Sequence, residues 1–256
     1  MKHRKTRISI LTLVMFVVAG AMFAFGALNF GLSPYITGDA LQGNFELDHV
    51  GVNLIEKSQG DKAYKDVGKK DGENGQLLTS LKDKNGNVKI APGAKYSEKI
   101  AAFNSSDVPQ YVRVVIHKYW MNADGSKDTS MDPELIHLTY GNKAYNTDSW
   151  KINPSETASE TSVYYYTSEL PAETQTPDLM NQLQIDPRVA QQYTEKTTQN
   201  DAGQTVITYV YKYDGKVFCV EAEAQALQPH NINDAIKSVW GVQNVTVSGG
   251  SLSIGQ

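Results

Sequence analysis

The sequence contains a single cysteine, Cys219, so no disulfide can form within the chain. It lies in the apolar, strand-like run Lys216–Val220 and reads as a small buried core residue. A nucleophile would need a base and an oxyanion site, and nothing around Cys219 points to either. Other catalytic signatures are missing too. The five histidines (His3, His49, His117, His137 and His230) never fall at i, i+4, so the HExxH pair of a zinc protease is absent. There is no GxSxG elbow, no GxGxxG loop and no P-loop. Charge of one sign is also lacking. A net charge of −4, with lysines and acids interspersed, leaves no basic face for nucleic acid. No repeat of fixed period occurs.

Long apolar runs are scarce as well; there is one, at the N-terminus. Met1–Arg7 carries Lys2, Arg4, Lys5 and Arg7, and Ile8–Leu28 then continues without a charge. A basic stretch followed by an apolar one reads as a secretory signal, although a run of this length also suits a membrane anchor. The Gly/Ala richness of the run and the small residues Ala24 and Gly26, placed for a cut before Ala27, favour cleavage. On either reading the remainder lies outside the cytoplasm. The organisation expected is a signal peptide over 1–34 and one domain over 35–256, within the size range of all-β domains.

What is present is alternation. Fourteen tyrosines against three tryptophans suit a strand-rich chain. On Tyr111–Trp120, Val112, Val114 and Ile116 share one face, and Tyr111, Arg113, Val115, His117 and Tyr119 the other. Bulky residues on both faces predict an inner strand. Lys95–Phe103 is expected to pair with it as a hairpin across Asn104–Gln110. Further strands are predicted at Gly51–Ile55, Leu135–Leu138, Trp150–Ile152, Ser162–Tyr166, Leu183–Ile185, Val206–Tyr213, Lys216–Leu227, Gln243–Val247 and Leu252–Ile254. Asp214-Gly215 signals a two-residue hairpin, and Ala91-Pro92-Gly93 a tight turn. Helices are expected at Asp186–Glu195 and at Asn231–Trp240, the latter with Asn231 as N-cap and Gly241 as C-cap. Ser58–Lys89 is a polar loop or insertion in which Leu77, Leu78 and Leu81 could form a short strand or turn. The fold class predicted is all-β: a jelly-roll-like β-sandwich with one or two short helices in connections.

Two loops, Asp83–Asn87 and Asn122–Asp128, alternate oxygen-bearing side chains as calcium loops do. Both lack the glycine at the sixth position and the glutamate at the twelfth, and their composition suits any hairpin turn. No metal or other cofactor is expected.

Four features together resemble one family. They are the Gly/Ala-rich leader, Tyr35–Asp39 (YITGD), the APG…NSSDVPQYVRV module over Ala91–Val114, and Val220–Val242 (VEAEAQALQPHNINDAIKSVWGV). These are similar to the TasA/camelysin family of secreted Gram-positive proteins, exported through an ER-type signal peptidase such as SipW. One departure is Pro34, which stands where the family commonly has a small residue before its Tyr-Phe-Thr-Asp-like motif. The resemblance implies a secreted, non-enzymatic jelly-roll protein whose copies assemble into extracellular biofilm-matrix fibres, with a minor matrix subunit as a further partner. Assembly in the family uses donor-strand complementation. The donor here would be 35–47, with Tyr35, Leu41, Phe45 and Leu47 as anchors; the alternative is that this segment is the first strand of its own domain. Two other readings stay open: a camelysin-like secreted metallopeptidase, and a monomeric surface-anchored binding module.

Overall fold

The computed structural model describes residues 51–67, 75–77, 90–201 and 203–255. Fourteen strands order them: β1 Val52–Ser58, β2 Lys65–Asp66, β3 Gly75–Gln76, β4 Lys95–Asn104, β5 Tyr111–Met121, β6 Ile136–Thr139, β7 Trp150–Ile152, β8 Thr161–Tyr166, β9 Met180–Ile185, β10 Tyr193–Gln199, β11 Thr205–Tyr211, β12 Val217–Leu227, β13 Val245–Ser248 and β14 Ser251–Ile254. The all-β class is as the alternation predicts. Every strand pairing is antiparallel. One sheet runs β2-β1-β4-β9-β6 and a second β3-β12-β5-β8-β7, while β10-β11 and β13-β14 are separate two-stranded ribbons.

The two large sheets share one core. Leu54, Ile100, Ala102, Met180 and Leu183 of the first pack with Val112, Val114, Ile116, Tyr164, Val220 and Ala222 of the second. Period-2 patterning puts each of these sets on a single face, except that Met180 and Leu183 reach it across the register shift between β4 and β9, and two such faces must cover each other. The opposite face of the second sheet is covered too. Tyr111, Val163, Tyr165 and Leu227 pack against Ile232, Ile236, Trp240, Val242, Val245 and Leu252, which come from a short helix and the β13-β14 ribbon. Hence β5 is buried on both sides, as its composition requires.

Each strand predicted from alternation is present, but two pairings differ. β4 and β5 do not form a hairpin: β4 pairs with β1 and β9, and β5 with β12 and β8. Each strand contributes an apolar face to the same core from opposite sides, so 105–110 must cross between layers. Asn104, fully buried, holds that crossing. Its Nδ2 reaches the carbonyls of Val108, Leu170 and Pro171 at 2.8, 3.1 and 3.0 Å, and its Oδ1 accepts from the Ser106 amide at 3.0 Å. Likewise β11 pairs with β10 rather than with β12. The Tyr213–Lys216 turn closes through a Lys216 N–H to Tyr213 carbonyl bond of 3.1 Å. Gly215 takes φ +71°, whereas Asp214 is not among the residues with positive φ, so the type I′ geometry of a two-residue hairpin is not met.

One expected helix is replaced. Asp186–Glu195 starts with a 3₁₀ turn, Pro187–Ala190, and then becomes β10. Tyr193, Thr194, Thr197 and Thr198 favour a strand once β11 lies alongside. Asp186-Pro187 is one of three Asx-Pro corners, with Asp132-Pro133 and Asn153-Pro154; in each, the side-chain oxygen accepts the amide two residues on and proline starts the turn. The second helix is present as α1, Ile232–Ala235, continued by a π turn Ile236–Trp240 and ended by Gly241 at φ +73°. Asn231 occupies the expected N-cap position, but in a left-handed conformation and without a side-chain capping bond; its carbonyl accepts the first bonds of the helix. The Ala91–Ala94 turn forms as read, with Gly93 at φ +84° and the Ala94 amide on the Ala91 carbonyl at 3.1 Å. Within the polar insertion, β2, β3 and buried Leu77 are ordered into the sheets. Leu78, Leu81 and Asp83–Asn87 lie outside the described residues.

Candidate assembly surface

A strand-accepting surface needs a long edge whose backbone groups are unpaired. The far edges of the two large sheets are short strands: β6 with four residues and β7 with three. The near edges differ. β12 has eleven residues and is paired along its whole length with β5 on one side; on its other side, among the described residues, β3 pairs with Glu221 and Ala222 and the Leu77 amide bonds the Val220 carbonyl at 3.3 Å. β1 is similarly covered by β2 at Ile55 and Glu56 alone, with a further Val67 amide bond to the Leu54 carbonyl. Among the described residues, β12 therefore presents the longest edge without a strand partner. Its inward face, Val220, Ala222, Ala224 and Ala226, is small and apolar, as the sequence predicts.

A polar network locks the outer face of the same sheet. Arg113, nearly buried, donates from Nε to Gln225 Oε1 at 2.7 Å, and from Nη1 to Glu156 Oε1 and to the Tyr165 hydroxyl at 3.1 Å each. Its guanidinium stacks on the Trp240 ring at 5.1 Å. Tyr165 in turn donates to Glu156 Oε2 at 2.6 Å. Burial, then the Glu156 carboxylate, push the Tyr165 hydroxyl up to about 12. One arginine thus ties β5, β8, β12 and the C-terminal helix together. The sequence carried half a signal for it, an arginine on a face otherwise shared by tyrosine, valine and histidine; that Gln225 lies opposite it is set by the pairing of β5 with β12.

A second buried polar group lies between β1 and β4. Ser58 sits directly opposite Glu98, with Glu56 on the same face, and all three are buried. Among the described residues, neither Glu98 carboxyl oxygen, nor Ser58 Oγ, has a partner in good hydrogen-bond geometry. Burial first, and the adjacent Glu56 carboxyl second, push Glu98 up to about 10, so it is neutral at pH 7.

Several further titratable residues make specific contacts. Lys216 Nζ reaches Asn122 Oδ1 and Asp128 Oδ2, both at 2.6 Å, so an ammonium fills the loop that resembled a calcium site. It holds Asp128 down to about 2. His117 Nδ1 meets Thr161 Oγ1 at 3.0 Å, and His137 Nε2 meets Asp186 Oδ2 at 2.9 Å. Arg188 above all, and then His137, hold the Asp186 carboxyl well below the usual range. Cys219 is buried, with its sulfur 3.8 Å from Glu221 Oε1. Among the described residues no three His, Cys, Asp or Glu side chains converge on a metal position. The donor anchors Tyr35, Leu41, Phe45 and Leu47 lie outside the described residues.

No family model matches this chain, and no curated protein or solved structure matches it either.

Proposed function

We propose that the chain is a secreted, non-enzymatic structural subunit whose copies assemble into extracellular fibres. In this reading the body is a jelly-roll-like sandwich, and the 35–47 segment of one copy adds as a strand to the next. The observation that carries the reading is the β12 edge, eleven residues long and paired with β3 at two. Such an edge is an aggregation liability that proteins ordinarily blunt, and here the inward side chains beside it are small enough to admit a neighbour's larger anchors. Added main-chain bonds would supply affinity, and alternate side chains such as Leu41, Phe45 and Leu47 the register. The resemblance to TasA/camelysin proteins supports the same conclusion and makes an ER-type signal peptidase the export partner.

The test is deletion of 35–47. The expected product folds, as judged by its far-UV circular dichroism, but forms no fibres by electron microscopy. Fibres persisting after the deletion would refute donor exchange. N-terminal sequencing of the exported form adds an independent check: a mature chain beginning near Tyr35 or Ala27 is required, and a retained Ile8–Leu28 run would favour an anchored module instead.

A further inference from the structure

Residues 193–211 form an arm. Among the described residues, β10 and β11 pair with each other and with no other strand, and each residue of both is exposed. Ile207, Tyr209, Val210 and Tyr211 are 54, 49, 51 and 47% exposed, so apolar surface is bare on both sides of the ribbon. Tyr193, Tyr209 and Tyr211 cluster on one side, with ring centroids 5.1 and 5.7 Å apart. A lone two-stranded ribbon is at best marginally stable in water.

The two free edges differ. Asn200 N–H bonds the Gln204 carbonyl at 3.0 Å and Lys212 N–H bonds that of Gln192 at 2.8 Å, in the same register as the strands between them. Even-numbered residues therefore bond across the ribbon, and Thr205, Ile207, Tyr209 and Tyr211 turn their N–H and C=O groups outward from β11. The Thr205–Tyr211 stretch, TVITYVY, has no charge, no proline and no glycine. That is the composition of a self-pairing strand. The outward groups of β10 belong to Tyr193, Glu195, Thr197 and Gln199. Full-length self-pairing along that edge would place Lys196 opposite Lys196 of the second copy, a like-charge pair that disfavours it.

We infer that β11 pairs with β11 of a second copy of this chain, antiparallel about a two-fold axis at Thr208, completing a four-stranded sheet β10-β11-β11-β10. Three constraints converge on that register. Opposed residues must have the same parity, all seven residues overlap, and each pairing is a favourable one. Ile207 faces Tyr209 of the second copy, Thr205 faces its Tyr211 and Val206 its Val210; aromatic and β-branched neighbours are the favourable cross-strand pairs. The two Lys196 side chains end up three strand spacings apart, about 14 Å, beyond the ~8 Å over which salt leaves charges in contact. On the fibre reading above, this contact would join one fibre to the next, and that consequence alone rests on that reading.

The test is made in mild detergent. Ile207→Pro removes an amide that faces outward from β11, and Thr197→Pro removes the equivalent from β10, so both impose a similar local cost on the arm. With 35–47 deleted, so that donor exchange is silent, sedimentation should show the parent chain and Thr197→Pro as dimers, with Ile207→Pro at least tenfold weaker in self-association. Thr208→Cys adds a readout independent of any destabilisation: opposed Cα atoms at a non-hydrogen-bonded pair are about 4.5 Å apart, within disulfide range, and native Cys219 is buried. Mild oxidation should give a covalent dimer. A wild-type chain that stays monomeric at high concentration, equal impairment by both prolines, or an uncrosslinked Thr208→Cys protein would each overturn the inference. Deletion of 35–47 should leave this dimer intact, which separates its failure from failure of donor exchange.

Discussion

Replacing Glu98 by glutamine should stabilise the protein at neutral pH and leave it unchanged in acid. Glu98 keeps its proton in the folded state because burial and the Glu56 carboxyl disfavour its charge, whereas in the unfolded chain it ionises around its ordinary value of 4.5. From that value up to the raised one, the folded state binds more protons than the unfolded state. Stability therefore falls as pH rises, by about 1.4 kcal/mol per pH unit for one group. Between pH 4.5 and 7 this amounts to roughly 3 kcal/mol. Glutamine copies the shape of the neutral acid without a proton to lose. Urea unfolding followed by tryptophan fluorescence at pH 4, 5.5 and 7 measures the difference. The variant should exceed wild type by roughly 3 kcal/mol at pH 7 and by less than about 1 kcal/mol at pH 4. An equal gap at both pH values, or a less stable variant at pH 7, would refute the claim that Glu98 is held neutral.

Three further outcomes follow from the contacts. Arg113→Ala strands the half-buried Glu156 carboxylate and the buried Tyr165 hydroxyl and loses the Trp240 stack; a loss of about 3 kcal/mol is expected, read as a fall in Tm of roughly 10 °C. Ile236→Ala opens a cavity under the C-terminal layer at a cost of about 2–5 kcal/mol, and hydrogen exchange should rise in Val245–Ile254 while β1 and β4 keep their protection. In Lys216→Met, Asp128 loses the ammonium that depresses it. A depressed carboxylate stabilises the fold above its unfolded pKa and ceases to do so as pH falls from about 4 to about 2; that portion of the acid unfolding limb should be missing from the variant's pH titration.

The strands were legible because the signal for each is local. On β5, Val112, Val114 and Ile116 declare one face, and Tyr111 and Val115 the other, before any partner is known. The same holds for Trp150–Ile152, predicted with its observed bounds, and for the alanine face of β12. Pairing was not legible. β4 and β5 are neighbours in sequence with strong alternation, yet they lie in opposite layers. The deciding element is Asn104, whose bonds to Leu170 and Pro171 reach more than sixty residues away. β10 went unread for a related reason. YTEKTTQ is polar enough to suit several conformations and becomes a strand because TVITYVY lies beside it.

The buried acid and the arginine network show the same division. Charge alternation on β12 marked a polar face, but composition alone places Glu221, Glu223 and Gln225 in solvent. Their face is partly covered because a helix made from residues 232–240 returns over it and brings Trp240 to Arg113. Glu98 reads as an ordinary exposed acid between Ser97 and Lys99 until β1 lays Ser58 and Glu56 against it. From the chain alone came the β class, the strand positions, the tight turns and the scarcity of catalytic motifs, all fixed by side-chain period and by backbone preferences within a few residues. Which strands pair, which acids are buried and which edges stay open are set by burial between segments far apart in sequence, and that competition is resolved only when the two sheets close.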